Sequence, residues 1–200
     1  MSRSRFTGPL NIDHFGWIAP WYERFIREPN IDMLIELVEA APEHMFLDVG
    51  GGTGRIAQHF ADTVETVHVL DLSSGMLREA VKRSNLRPCR GMAEWLPFRD
   101  GAFDRIVAVD SFHHFQDHAQ AAEELLRVLS PGGRLVLEEP DIRRWPVKLV
   151  ALAERLALMG SRFYALRKMV DFFSGPGRSL SCYDRDGMNV WLVVDKIGAR

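Results

Sequence analysis

Residues 46–54, FLDVGGGTG, decide how this 200-residue chain folds. An apolar run of strand formers leads straight into a cluster of glycines, and a buried strand that ends this way lets bare backbone approach a ligand. No Cβ stands in the way, and the turn can take φ > 0. Downstream, the run VHVLDL closes a second strand with Asp71. A carboxylate one strand over from a glycine turn can accept two hydrogen bonds from ribose hydroxyls, so the pairing predicts a nucleoside site.

The glycine spacing narrows the kind of nucleoside. Gly50, Gly52 and Gly54 read GxGxG, whereas dinucleotide turns read GxGxxG, with a last glycine that lets helix and strand close under a pyrophosphate. Arg55 stands at that last position here. A bulky side chain there argues against NAD. The competing reading is a tight strand-to-helix turn with no ligand, and the acidic Asp71 on the next strand weighs against it.

Composition bounds the rest. Two hundred residues suit one domain with a substantial core that needs no metal or disulfide. A formal charge of -2 leaves no electrostatic footprint for nucleic acid, so none is expected as a partner. Cys89 and Cys182 are too few and too far apart for a disulfide framework or a zinc site. No apolar core of a signal peptide follows the start MSRSRFTGPL, and no apolar run reaches the roughly 18 residues of a spanning helix, which predicts a soluble, cytoplasmic protein.

Along the chain, strand-like runs alternate with helical patterns. Met45 to Val49, Val67 to Leu70, Phe103 to Val109 and Arg134 to Glu138 are short and rich in Val, Ile and Leu, and each but the last precedes a segment of helical period. A weaker strand is expected at Leu86 to Arg90. Ser73 or Ser74 can cap the helix GMLREAVKR, and Asp117 can cap HAQAAEELLRVL, which should stop at Ser130-Pro131-Gly132-Gly133. Ser179 to Asp184 and Asn189 to Ile197 flank Asp186-Gly187, a hairpin signal that ends the sheet with an antiparallel strand. The pattern predicts an α/β, Rossmann-like, doubly wound and mostly parallel sheet with helices on both faces.

The segments FLDVGGGTGRIA, HVLDLSSGMLREA, GMAEWLPFRDGAFDRIVAVDSFHHF and ELLRVLSPGGRLVLEEPD resemble, in order and spacing, the successive motifs of class I S-adenosylmethionine-dependent methyltransferases. The wording is closest to the branch that includes the ubiquinone and menaquinone C-methyltransferases. The resemblance covers about residues 12 to 140 and implies a seven-stranded sheet with a reversed last strand. It also implies S-adenosyl-L-methionine as cofactor and S-adenosyl-L-homocysteine as product.

Carried onto this chain, the resemblance puts Gly50, Gly52 and Thr53 under the methionine half of the cofactor, Asp71 on the ribose and Met76 over the adenine. The family's acidic-loop motif has Asp or Asn before an alanine, where this chain has Met92 before Ala93 and Glu94; Met92 is expected to pack on the adenine, with the Ala93 N–H toward a ring nitrogen. Asp110 is a partner for the methionine ammonium. The expected cofactor shell is thus Gly50, Gly51, Gly52, Thr53, Gly54, Asp71, Leu72, Met76, Met92, Ala93, Glu94 and Asp110, with no metal.

The cofactor carries its own leaving group, so the protein mainly supplies an in-line approach. His113 and His114 follow the fourth strand, where open α/β sheets place their ligand crevice, and either can serve a protic acceptor as a base. Both can equally be packing residues of an FHHF loop bracketed by aromatics. Asp110-Ser111-Phe112-His113 replaces the NPPY or DPPY tetrad of enzymes that methylate amino groups of DNA bases, which argues against that reaction.

Substrate choice is expected in two caps that the motifs do not cover. Residues 1–40 form a helical cap whose HFGWIAPWYERF resembles the family's FDxxAxxYD element, with Phe15, Trp17, Trp21 and Tyr22 as an apolar wall or a sheet-packing helix face. Residues 142–178 form a basic, variable cap carrying Arg143, Arg144, Lys148, Arg155, Arg162, Arg167, Lys168 and Arg178 against only Glu154 and Asp171. Such a cap can lie on an anionic membrane surface or present an ordinary solvated face. The expected activity is methyl transfer to a carbon or oxygen of a small phenolic, quinone-like or lipophilic acceptor. A silent cofactor-binding module that regulates a partner, and a nicotinamide oxidoreductase, are the other readings. The sequence names neither the acceptor nor the oligomer.

Overall fold

The computed structural model describes residues 30–144, 147–148, 161–184 and 189–198. Seven strands, β1 (Met45–Val49), β2 (Thr66–Asp71), β3 (Leu86–Arg90), β4 (Phe103–Val109), β5 (Leu129–Pro140), β6 (Arg178–Tyr183) and β7 (Asn189–Lys196), form one sheet in the order β3-β2-β1-β4-β5-β7-β6. β1 pairs in parallel with both β2 and β4, and β7 inserts antiparallel between β5 and β6. The order reverses at β1 and β4, and their carboxyl ends open the crevice where such sheets bind ligands. The expected mostly parallel sheet with a reversed last strand is therefore the fold observed.

Among the described residues, the helices α1 (Ile31–Val38), α2 (Ser74–Ala80), α3 (His118–Val128) and α4 (Leu166–Phe173) cover the sheet. Alternation along the central strands splits the core into two. Phe46, Val67, Val69, Val107 and Val136 point to the face covered by Met33, Leu34 and Leu37 of α1. Leu47, Leu70, Ile106, Leu135 and Leu137 point to the face covered by Ala121 and Leu125 of α3 and by Met169 and Phe173 of α4. Strands buried on both sides read as continuous apolar runs, which is why β1 and β4 were legible to the residue.

The caps are those the sequence predicts: Ser73 Oγ accepts from the Met76 N–H at 3.2 Å, and Asp117 Oδ1 accepts from the Gln120 N–H at 3.1 Å. Two expectations need correction. Ser130-Pro131-Gly132-Gly133 does not lie ahead of the fifth strand but bulges within it, because Leu129 already pairs with Phe103 and pairing resumes at Arg134 opposite Arg105. The segment after β1 forms only one 3-10 turn, Ala57–Phe60, since Gly50, Gly52 and Gly54 all take positive φ and keep the chain out of helical space until Arg55. Of residues 1–40 the structure describes α1, which packs Met33, Leu34 and Leu37 on the sheet. HFGWIAPWYERF, Arg155 and Asp186-Gly187 lie outside the described residues; the strands flanking Asp186-Gly187 do pair antiparallel.

Candidate functional site

The glycines after β1 serve different ends. A Cβ on Gly50 would come within 2.6 Å of the Ser111 Cβ, one on Gly51 within 2.5 Å of the Asp48 carboxyl carbon, and one on Gly54 within 2.6 Å of Leu86 Cδ1. Those three glycines are demanded by neighbouring protein. Gly52 differs, for a Cβ there would meet nothing nearer than Asp71 Oδ2 and Met76 Sδ, each at 3.9 Å. It is the glycine whose absent side chain opens the crevice. Gly52→Ala is therefore expected to fold, at ~1–2 kcal/mol for a left-handed alanine at φ 55, while its methyl intrudes on the ligand and weakens S-adenosylhomocysteine binding at least ~10-fold; thermal melts and calorimetry on the one variant check both halves.

Asp71 ends β2 beside this opening. Its Oδ2 accepts from the Gly52 N–H at 2.9 Å and its Oδ1 from the Ser73 N–H at 2.7 Å, so one carboxylate joins the glycine turn to the start of α2. Each carboxylate oxygen can accept twice, so this tethering is compatible with ribose hydroxyls. Met76 is buried against the turn, and the side chain of Leu72 is exposed beside it. Half-buried Met92 forms a bridge with the exposed Trp95, and Ala93 is buried between them. Thr53 is buried, and its carbonyl accepts from Arg83 Nε at 2.8 Å.

Glu94 is buried, and its Oε1 accepts from the Gln116 N–H at 2.6 Å and the Asp117 N–H at 3.2 Å, which fastens the loop before α3. Asp110, the last expected contact, takes φ 51, an uncommon conformation for a residue with a side chain and one that gathers at functional sites. Its N–H donates to the Glu138 carbonyl at 2.8 Å.

Beyond Asp110 the two candidate histidines form a short 3-10 turn, Phe112–His114. Their rings lie 4.0 Å apart between centroids. A stretch of the second cap lies over them: the Arg162 N–H donates to the His113 carbonyl at 2.7 Å, Ser161 Oγ is 2.9 Å from His114 Nδ1, and Phe163 stacks on His113 at 4.3 Å. Burial, and then the neighbouring His113, push the His114 imidazole down to about 3, so its ring is neutral near pH 7.

Comparison with known proteins fits this geometry. Residues 47–137, which span the glycine turn, Asp71 and the histidine turn, match the family model described as a methyltransferase domain. Over these residues the chain is similar to the methyltransferase domain family. A demethylmenaquinone methyltransferase of Renibacterium salmoninarum is 35% identical over 108 residues, 54% of this chain and 46% of its own length. The methyltransferase YcgJ of Bacillus subtilis is 34% identical over 119 residues, 56% of this chain and 47% of its own length. The crystal structure of YcgJ superposes with a TM-score of 0.71 at 21% identity, covering 84% of this chain and 98% of that one. The chain spans about half the length of the curated relatives it matches.

S-adenosylmethionine is the cofactor of this family, and the residues present fit it: an open glycine lies beside a carboxylate that ends β2 and can accept further hydrogen bonds. The methyltransferase domain also holds residues that a reading of motifs alone passes over. Asp48 of β1 is buried, with Oδ2 lacking a hydrogen-bond partner, and burial pushes its carboxyl from 3.8 up to about 7. Arg55 opposes that rise. Here the folded value exceeds the unfolded one, so folding favours the protonated acid and stability declines as pH rises from about 4 to 7. Asp48→Asn removes the buried charge and is expected to stabilise the domain by about 2 kcal/mol at pH 8, an advantage that vanishes below pH 4; urea melts at both pH values would contradict this if the variant were no more stable at pH 8.

Past the residues that match the family model, the first cations of the basic cap are ion-paired: Arg143 bridges to Asp141 at 2.7 Å, and Arg144 to Asp184 at 3.2 Å. α4 buries Met169 and Phe173 while Lys168 lies 5.1 Å over the Phe172 ring. Among the described residues no helix is long and apolar enough to cross a membrane.

Proposed function

We propose that this chain transfers a methyl group from S-adenosylmethionine to a small acceptor bearing a phenolic or quinol-like ring, at oxygen or carbon. The observation that carries the reading is the Gly52–Asp71–Ser73 cradle, in which an open glycine and a tethered carboxylate stand at the switch point of the sheet. When bound, the cofactor supplies an electrophilic methyl on sulfur. Gly52 and Asp71 orient its nucleoside, Ser111 and Gly50 close the floor through their tight approach, and His113 and Phe163 present an apolar, aromatic wall to the acceptor. The name of the Renibacterium relative, a demethylmenaquinone methyltransferase, supports a ring-bearing acceptor.

The test has two parts. Native mass spectrometry of the purified protein should weigh co-purified S-adenosylhomocysteine or its addition to the apoprotein. Incubation with methyl-labelled S-adenosylmethionine and a panel of catechols, naphthols and dihydroxynaphthalenes should transfer label to at least one of them. Absence of cofactor binding sinks the whole reading, while binding without transfer to any of the panel sinks the acceptor class and favours a regulatory binding module.

A further inference from the structure

Glu139, near the end of β5, turns its carboxylate into the loop after β4. Oε1 accepts from the Ser111 N–H at 3.0 Å and the Phe112 N–H at 2.7 Å; Oε2 accepts from the His113 N–H at 3.3 Å and lies 2.6 Å from His113 Nδ1. The side chains of His113 and Glu139 are 3% and 4% exposed. Four donors on two oxygens fill the capacity of an ionised carboxylate, and a protonated one would set its O–H against a backbone donor. Glu139 is thus the anion, and the short contact requires a proton on Nδ1. In a neutral ring the basic lone pair then belongs to Nε2.

We propose that Glu139 is the positioning residue of His113, holding the imidazole in its Nδ1–H tautomer so that Nε2 takes the proton of a hydroxylated acceptor during methyl transfer. The inference rests on the methyl-transfer reading above and narrows the acceptor to one with a proton to lose. The acceptor oxygen bonds to the methyl carbon as the carbon–sulfur bond breaks, the bonding pair stays on sulfur, and the hydroxyl proton passes to Nε2. The resulting imidazolium is held against the Glu139 carboxylate until the proton leaves to solvent. Among the described residues, His114 beside the ring, His118 at the start of α3 and Arg162 from the covering segment are further titratable or charged groups near it. His114 stays neutral and so does not repel the imidazolium. Phe163, stacked on His113 with 20° between the planes, already shows that an aromatic ring fits this face.

The first readout needs no acceptor. In 15N spectra of the labelled protein with S-adenosylhomocysteine, recorded as pH is varied, His113 is expected to carry its proton on Nδ1 and show a pyridine-like Nε2. Glu139→Gln should lower the proton affinity of His113 at least ~10-fold, because the amide bears no charge and its NH2 cannot accept from the backbone donors; Glu139→Asp should recover part of it. A His113 protonated on Nε2, or an unchanged titration in Glu139→Gln, overturns the assignment. The second readout is the pH–rate profile on the phenol that the labelling panel identifies. Glu139→Gln should move the acidic limb to lower pH, and His113→Gln should remove the limb with a ~10²–10⁴-fold loss of rate. A Glu139 that only braces the loop would scale the whole profile by one factor, which also overturns the proposal. Should no phenol be methylated, the acceptor reading fails while the spectra still decide the Glu139–His113 assignment.

Discussion

Between pH 7.5 and 5 the domain is expected to lose ~2 kcal/mol of stability through His114 alone. The imidazole is pushed from 6.5 down to about 3 by burial, and the neighbouring His113 adds to the effect. The sign follows from that direction. The folded state prefers the neutral ring, so the contribution is complete above pH 6.5, falls as the unfolded chain takes up a proton that the folded chain refuses, and is exhausted near pH 3. The whole window bounds the loss at ~5 kcal/mol, and the partial exposure of the ring brings the realised value nearer to 3 kcal/mol.

Ser161 Oγ lies 2.9 Å from His114 Nδ1 and can accept as well as donate, so the cost of charging the ring lies in its burial rather than in the loss of this contact. His114→Gln keeps a group that can bond to Ser161 Oγ but cannot take up a proton. Urea unfolding at the two pH values should show a smaller acid loss in the variant than in the parent. Equal losses would mean that the ring is solvated enough to titrate normally. His118 shifts in the same direction, chiefly through burial, so some acid sensitivity is expected to survive in the variant.

Asp71→Ala should weaken S-adenosylhomocysteine binding ~10- to 150-fold, the equivalent of ~1.5–3 kcal/mol for charge-assisted hydrogen bonds to the ribose. The structure adds a second loss. The same carboxylate ties the Gly52 N–H to the Ser73 N–H, and alanine leaves both donors without it, loosening the turn that opens the crevice. Asp71→Asn separates the two effects, because its single carbonyl can satisfy one donor while its amide nitrogen faces the other. An intermediate affinity for Asn and the lowest for Ala is the expected order by calorimetry. Parent-like affinity in Asp71→Ala would remove this residue from the site.

Local sequence determined the sheet and the nucleoside end of the crevice. β1 and β4 carry their bounds in apolar runs that must be buried on both faces, Ser73 and Asp117 announce their helices by unsatisfied N–H donors, and Gly52 with Asp71 states the cradle between two neighbouring strands. These features rest on neighbours in the chain, whose geometry is set by backbone sterics and short-range hydrogen bonds. What the tertiary structure alone decided depends on contacts between distant segments. Gly50 is demanded by Ser111, Gly54 by Leu86, and Glu94 is held by the backbone of Gln116 and Asp117. Glu139 carried no signal as a partner of His113, since a glutamate ending a strand reads as solvated. Only folding takes it out of water, and a buried carboxylate must then find donors, here the backbone of residues 111–113 and the imidazole itself.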